Sequence, residues 1–127
     1  MKYISSANNP VIKKLKLLIS KSRVRRKENR FVVSGKRELT RAVEMGYKID
    51  TLFYRVDYYE KIINVHSDCV FELSSNLFDR VSMRSGSEEV IAILETKSHH
   101  IKDIYIDNDS RVLVLEAPEN QATLGLY

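Results

Sequence analysis

The sequence predicts an α/β protein, a small three-layer α/β/α sandwich with a mostly parallel sheet, preceded by a basic N-terminal helix. Three observations lead to this fold class. Short apolar runs of strand length alternate with stretches in which apolar residues recur every three or four positions. Turn residues such as Ser34-Gly35 and Ser85-Gly86-Ser87 separate these segments. The 127 residues are 43% hydrophobic, which is enough for the core of one domain.

The first helix is predicted to begin at Asn9-Pro10, because a capping side chain is followed there by proline at the first helical position. Its apolar side chains share one face. The other face is cationic and carries Lys13, Lys14 and Lys16. After Ile19 the apolar periodicity ends, so the segment up to Arg30 is a basic arm, either a helix extension or a mobile loop.

A strand, a glycine turn and a second helix come next. The β-branched and aromatic run 31–33 predicts a strand buried on both faces, and Ser34-Gly35 ends it. The helix starts at Lys36 and stops before Gly46. Lys36 and Arg37 lie in its first turn, where free backbone N–H groups can hold an anion such as phosphate. The alternative interpretation is two solvated charges at a helix end.

The rest of the chain continues the alternation. The predicted elements are strands at 49–54, 69–73 and 90–94, a short helix at 58–63, and a helix capped by Ser75. A polar connection leads to one more apolar run at 112–115, which predicts a buried strand opening another unit. Such a strand needs further elements to cover it. We therefore expect the 127 residues to be the front portion of a longer protein.

Charge is distributed unevenly along the chain. Residues 1–41 hold thirteen basic and two acidic side chains, whereas the other 86 hold eight and fifteen. A concentrated cationic end suits a polyanion, so nucleic acid is the first candidate partner and the cations should gather on one side. A membrane-surface helix is disfavoured because the apolar face has no Trp or Phe anchor. The predicted contact residues are Lys13, Lys14, Lys16, Lys21, Arg23, Arg25, Arg26, Arg30, Lys36 and Arg37.

The sequence predicts no metal site and no catalytic residue. His99-His100, and His66 with Cys69, lack a recurring metal-ligand spacing. Glu116 and Glu119 are either an acid/base pair or exposed loop charges. The three tyrosines at 54, 58 and 59 either stack on an unpaired base or pack as core and rim residues.

The single cysteine, Cys69, excludes an internal disulfide and favours a reducing compartment. No apolar stretch approaches the roughly 18 residues that a membrane span needs. We expect a cytoplasmic protein without a membrane partner.

The order of segments resembles the SpoU/TrmH-type RNA ribose 2′-O-methyltransferases. The matching stretches are 4–46, LSSNLFDRVS followed by EEVIAIL, and RVLVLEAPEN with a later Leu-Gly. The resemblance implies a substrate-binding domain that recruits RNA, similar in fold to kink-turn-binding ribosomal proteins. It also implies a second, knotted domain that binds S-adenosylmethionine, dimerises and transfers the methyl group.

Two departures from the family pattern limit what the resemblance implies. Val33-Ser34-Gly35 stands where the family usually has Val-Glu-Gly, so a glutamate is missing. After Glu119-Asn120 the family pattern continues to an arginine that contacts the reacting RNA, and this sequence does not reach it. Asn120, Leu124 and Gly125 are the remnant of that motif, and no catalytic or cofactor-binding residue is assigned.

We accordingly expect four parts: a basic helix and arm at 1–30, an RNA-binding domain at 31–97, a linker at 98–110, and the start of a truncated methyltransferase domain at 111–127. The partner is structured RNA, either rRNA or tRNA. The full-length protein should use S-adenosylmethionine and form a homodimer through its missing domain. The 127-residue chain should be inactive, and either monomeric or associated through its C-terminal strand. A free-standing, non-enzymatic RNA-binding module of the ribosomal-protein type is the alternative.

Overall fold

Nine regular elements follow one another in the computed structural model, which describes residues 2–58, 67–83 and 88–117. They are β1 (Lys2–Ile4), α1 (Pro10–Ser20), α2 (Ser22–Glu28), β2 (Arg30–Ser34), α3 (Lys36–Glu44), β3 (Ile49–Arg55), β4 (Val70–Leu73), α4 (Ser75–Val81) and β5 (Val90–Glu95). The chain divides into two compact units, 1–97 and 98–127. All nine elements belong to the first unit, so the α/β fold class is confirmed. The four-part division and the likeness to ribosomal proteins stay predictions.

The five strands form one sheet in the order β1-β4-β3-β5-β2. β1, β4 and β3 pair in parallel, and β5 pairs antiparallel with both β3 and β2. Four strands therefore run in one direction and β5 alone runs in the other. The predicted mostly parallel sheet is thus a mixed sheet in its pairing, because two of its four strand pairs are antiparallel.

β5 runs opposite to the four other strands. β5 starts beside the end of β3, with Val90 opposite Tyr54. Because the run 90–94 is apolar throughout, its pattern carries no information about direction.

Two apolar layers cover the two faces of the sheet. On one face α1 and α4 bury Leu15, Leu18 and Phe78 against Phe53 of β3. On the other face Leu39 of α3 packs with the alternate side chains of β3 and β5. These two layers make the three-layer α/β/α sandwich that the sequence predicts.

Side-chain caps start the first and last helices. The Asn9 side chain accepts a hydrogen bond from the Val11 N–H at 2.9 Å, and Pro10 follows as the first helical residue, as predicted. In α4 the cap is Ser74 and not Ser75, since Ser74 Oγ accepts from the Leu77 N–H at 3.2 Å. Because two serines are adjacent here and either could cap a helix, the sequence alone did not distinguish them.

Three details differ from the sequence-based expectations. The basic arm forms a second helix, α2, which ends at Asn29 in the left-handed conformation with φ 52°. The N-terminal strand β1 was not expected. β2 is only half-buried, because it is the last strand of the described sheet and not a central one.

The described part of the second unit, 98–117, has one turn of 3-10 helix at Ile101–Asp103. The predicted strand at 112–115 is wrong for this structure: these residues form no strand, and Val114 is 87% exposed. An extended apolar segment becomes a strand only when a neighbour pairs with its backbone.

Three other predictions, the helix at 58–63 (except Tyr58), the turn at 85–87 and the motif remnant at 120–125, lie outside the described residues. None of the described helices combines the length and apolarity needed to cross a bilayer.

Candidate nucleic-acid interface

The outer face of α1 is cationic because its inner face is committed to the core. Ile12, Leu15 and Leu18 are fully buried. Lys13 and Lys14 are exposed on the opposite side, and Lys16 is half-exposed at its margin. Because the helical repeat places these lysines opposite the buried residues, the predicted contact residues of α1 are directed toward solvent.

α2 extends the same basic surface. Lys21, at the junction of the two helices, is exposed, as are Arg23, Arg26 and Lys27. None of the residues in α2 is fully buried, and Val24 alone of its described residues packs against the apolar layer beneath α1. We call the exposed basic residues of α1 and α2, namely Lys13, Lys14, Lys21, Arg23, Arg26 and Lys27, the α1–α2 surface.

Arg25 plays a different part from its neighbours. Its Nη1 donates to the carbonyl oxygens of Leu18 at 2.7 Å and Ile19 at 2.9 Å, in the last turn of α1. These carbonyls would otherwise lack partners at the helix end. Arg25 therefore joins α2 to α1, and its guanidinium is directed into the protein.

Arg30 is also engaged within the fold. Its guanidinium lies 3.4 Å from Asp50 and 3.8 Å from Glu95, and it donates to the Asn29 carbonyl oxygen at 3.1 Å. Half-exposed ion pairs of this kind contribute little stability, but they hold the cation beside carboxylates and away from an incoming phosphate. Arg25 and Arg30, two of the predicted contact residues, thus have structural partners.

The turn before α3 is glycine because the backbone there has φ 104°. A Cβ at Gly35 would also lie 2.6 Å from an Oε atom of Glu38, whose carboxylate folds over the turn. Glu38 is the third residue of the helix, a position where an acid interacts favourably with the helix N-terminus. The anion-holding role predicted for the backbone N–H groups of this turn therefore competes with a carboxylate that is already present.

The side chains of Lys36 and Arg37 are nevertheless exposed. They line an open cleft of about 450 Å³ together with Thr40, Arg41 and Glu44. Arg41 was not among the predicted contact residues. The signal that identifies it is its spacing of four from Arg37, which places both guanidinium groups on one side of α3. We call Arg37 and Arg41 the α3 pair.

The two basic groups lie on opposite faces of the sheet. α1 packs in one apolar layer and α3 in the other, while α1, α2 and α3 all contact β2. The basic residues therefore do not share one face, as the charge pattern led us to expect. They flank a single edge of the sheet, the edge formed by β2.

Polar groups at the carboxyl ends of the strands are largely engaged with one another. Ser34 donates a hydrogen bond to Glu88, a buried residue two positions before β5, and Ser82 Oγ lies 3.3 Å from the same carboxylate. Glu88 thus brings a carboxylate beside the turn at Ser34-Gly35. Arg55 pairs with Asp79 at 2.6 Å.

The other candidate residues form no site within the described ranges. No group of His, Cys, Asp and Glu there is arranged to hold a metal ion. Cys69 is a half-buried free thiol, and Tyr54 is a buried core residue. Tyr58 is half-buried. Tyr59, His66 and Glu119 lie outside the described residues.

The cleft along α3 does not suit S-adenosylmethionine. Of the described residues that line it, three are cationic and none is aromatic. The cofactor carries a positive sulfonium, which two arginines and a lysine would repel, and an adenine, which favours an apolar slot. We therefore derive no catalytic step from these residues.

The sequence matches one family model. Residues 9–92 match the family described as the MRM3-like substrate binding domain. This match begins at the cap of α1 and ends within β5, so it includes both basic groups. No curated protein matches the chain.

Several solved structures share the fold. An RNA 2′-O ribose methyltransferase aligns with a TM-score of 0.77 and 23% identity over 97% of this chain and 48% of its own. An rRNA methyltransferase from Sinorhizobium meliloti has a TM-score of 0.68 and 24% identity, over 81% and 40%. The SpoU methyltransferase AviRb from Streptomyces viridochromogenes, in complex with the cofactor AdoMet, has a TM-score of 0.65 and 21% identity, over 80% and 38%. The chain thus spans less than half the length of each.

Proposed function

Because the chain belongs to the MRM3-like substrate-binding domain family, we propose that it recruits RNA to an S-adenosylmethionine-dependent ribose 2′-O-methyltransferase. The three solved structures named above are methyltransferases, and AviRb is described in complex with AdoMet. In this proposal the substrate is rRNA or tRNA. A longer chain would supply the cofactor site and form a homodimer.

The chemistry explains why a separate recruiting domain is useful. A ribose hydroxyl is a weak nucleophile with a high pKa, so methyl transfer depends on alignment and on help in losing the proton. The cofactor supplies the electrophilic methyl group. The residues of this chain hold the RNA, through lysine and arginine side chains directed at phosphates. The 127-residue chain alone is expected not to transfer methyl groups.

The observation that supports this proposal best is the α1–α2 surface. Its six cations are exposed, while the inner face of α1 is fully buried, so the basic face is held in place by the core. Such a cationic surface attracts the negatively charged phosphate groups of a nucleic acid. The alternative of a free-standing RNA-binding module shares this surface, but no observation favours it over the recruiting role.

Salt dependence of RNA binding tests the proposal. The 127-residue chain is titrated against a labelled RNA hairpin between 50 and 200 mM salt. We expect the affinity to fall steeply as salt rises, and Arg23→Gln/Arg26→Gln to lower the slope of log affinity against log salt by about two units. Lys2→Gln/Arg80→Gln removes the same charge from β1 and α4 and should leave the slope nearly unchanged. Salt-independent binding, or an equal effect of both double variants, would contradict the proposal.

A further inference from the structure

The position of the two basic groups indicates what form of RNA this surface fits. Resting on the proposed function, we propose that the chain grips a double-stranded stem across the β2 edge, with one phosphate backbone against the α1–α2 surface and the other against the α3 pair. The base sequence of the stem is not read. The argument has three parts: the geometry of the edge, the composition of the helices, and the location of the charges.

The geometry places cations on both sides of one sheet edge. β2 is the last strand of the described sheet, α1 and α2 contact it from one face, and α3 contacts it from the other. Packed layers of secondary structure lie roughly 10 Å apart, so the helices on opposite faces are separated by about 20 Å. One phosphate strand on one face would leave the second basic group without a ligand. A duplex supplies two backbones at once.

The composition of the three helices provides no aromatic side chain on which a base could stack. None of the residues of α1, α2 and α3 is aromatic. Proteins that bind single strands place aromatic side chains under the unstacked bases, whereas double-stranded RNA is recognised through phosphates, 2′-hydroxyls and shape. Phe31, the aromatic residue of β2, is half-buried and packs edge-on against Tyr47 at 5.4 Å. Tyr3, which is 58% exposed, lies on β1 at the opposite edge of the sheet.

A purely protective role for these charges fits the structure less well. Proteins prevent edge strands from pairing with other molecules by placing charges on the strand itself. On β2 the charged residue is Arg30, and it is bound to Asp50 and Glu95. The exposed cations lie instead on the helices that pack on the two faces of the sheet beside this edge. They are placed to contact a ligand larger than one added β-strand.

The test uses matched probes and matched charge changes. Two labelled RNAs are compared with the 127-residue chain: a hairpin with a stem of about 16 base pairs, the span that known double-stranded RNA domains cover, and a single strand of equal length that cannot pair. Three variants each remove two charges: Arg23→Gln/Arg26→Gln, Arg37→Gln/Arg41→Gln and Lys2→Gln/Arg80→Gln. Glutamine keeps a helix propensity close to that of arginine and lysine.

We expect the stem to bind more tightly than the single strand, irrespective of its sequence. Each of the first two variants should weaken stem binding and lower the salt slope by about two units, and the third should change neither. Arg37→Lys/Arg41→Lys should retain stem binding, because a point charge suffices for a phosphate. Its retention would show that a loss in the glutamine variant comes from the missing charge and not from misfolding of α3.

Two results would overturn the inference and leave the proposed function standing. One is equal or tighter binding of the single strand. The other is stem binding that depends on Arg23 and Arg26 but not on Arg37 and Arg41. If the unmodified chain binds neither RNA, the proposed function fails together with the inference.

Discussion

Arg25 Nη1 donates to the carbonyl oxygen of Leu18 across the joint between the first two helices, at 2.7 Å. This contact converts one residue of a basic run into an anchor for the others. The exposed Arg23 and Arg26, on either side of Arg25 in α2, are thereby held at a fixed angle to the lysines of α1. The basic run of α2 thus supplies two exposed cations, Arg23 and Arg26, and the Arg25 hydrogen bonds that orient them.

Replacing Arg25 should affect both stability and RNA binding. Arg25→Ala leaves the Leu18 and Ile19 carbonyl groups without their charged donor, and hydrogen bonds to charged groups contribute about 1.5–3 kcal/mol. We expect a loss of that order in the free energy of unfolding, measured by urea denaturation. Arg23→Ala serves as the control: it should weaken RNA binding and leave the unfolding free energy within about 0.5 kcal/mol. Equal stability of the two variants would show that the Arg25 contact has no structural role.

The two positive-φ glycines should differ in their tolerance of alanine. At Gly35 a Cβ meets φ 104° and a carboxylate oxygen at 2.6 Å, whereas at Gly46 it meets φ 82° and the Nζ of Lys97 at the longer distance of 3.3 Å. Strained positions of this kind cost about 1–3 kcal/mol. We expect Gly35→Ala to lie toward the upper end of that range and Gly46→Ala toward the lower end, in thermal or urea unfolding. A reversed order would contradict this account of the α3 turn.

Loss of the Glu88 carboxylate should destabilise the turn between β2 and α3. Glu88→Ala removes the acceptor of the Ser34 hydroxyl and leaves a buried polar group unpaired, at a cost of about 1–3 kcal/mol. Glu89→Ala is the matched control, because the contact seen there is made by the Glu89 backbone carbonyl and not by its side chain. A double-mutant cycle with Ser34→Ala should show coupling between the two side chains. Additive effects would mean that the hydrogen bond contributes nothing.

The helix caps give a test at single-residue resolution. Asn9→Ala and Ser74→Ala each remove an oxygen that accepts a backbone N–H, and such losses cost about 0.5–2 kcal/mol. Ser75→Ala, one position along, should be nearly neutral. If Ser75→Ala proved as costly as Ser74→Ala, the cap of α4 would have to be moved to Ser75.

Much of the fold could be predicted because its signals are local. The cap at Asn9 with Pro10, and the stop at Gly46, depend on a few neighbouring residues that the sequence shows directly. β1 could not be found this way, since the three residues Lys2–Ile4 are too few to display a period and are a strand only because β4 pairs with them. The direction of β5 could not be found either, because its continuous apolar run has no pattern that depends on direction.

The candidate site was predictable in composition but not in arrangement. The charge count identifies the cations of α1, α2 and α3, but it cannot show that Arg25 and Arg30 bind within the protein. It also cannot show that α1 and α3 lie on opposite faces, because this depends on how β2 joins the sheet. The expectation of a common face failed for that reason.

The central claim, that RNA lies against the cationic helices, is tested most directly by mapping backbone amide signals of the labelled chain by NMR during titration with the RNA hairpin. The account predicts that the largest changes fall on α1 and α2, with a second set on α3, and that they diminish as salt is added. It predicts little change in β1 or in residues 98–117. Changes centred on β1 or on that C-terminal segment, with α1 and α2 unaffected, would contradict it.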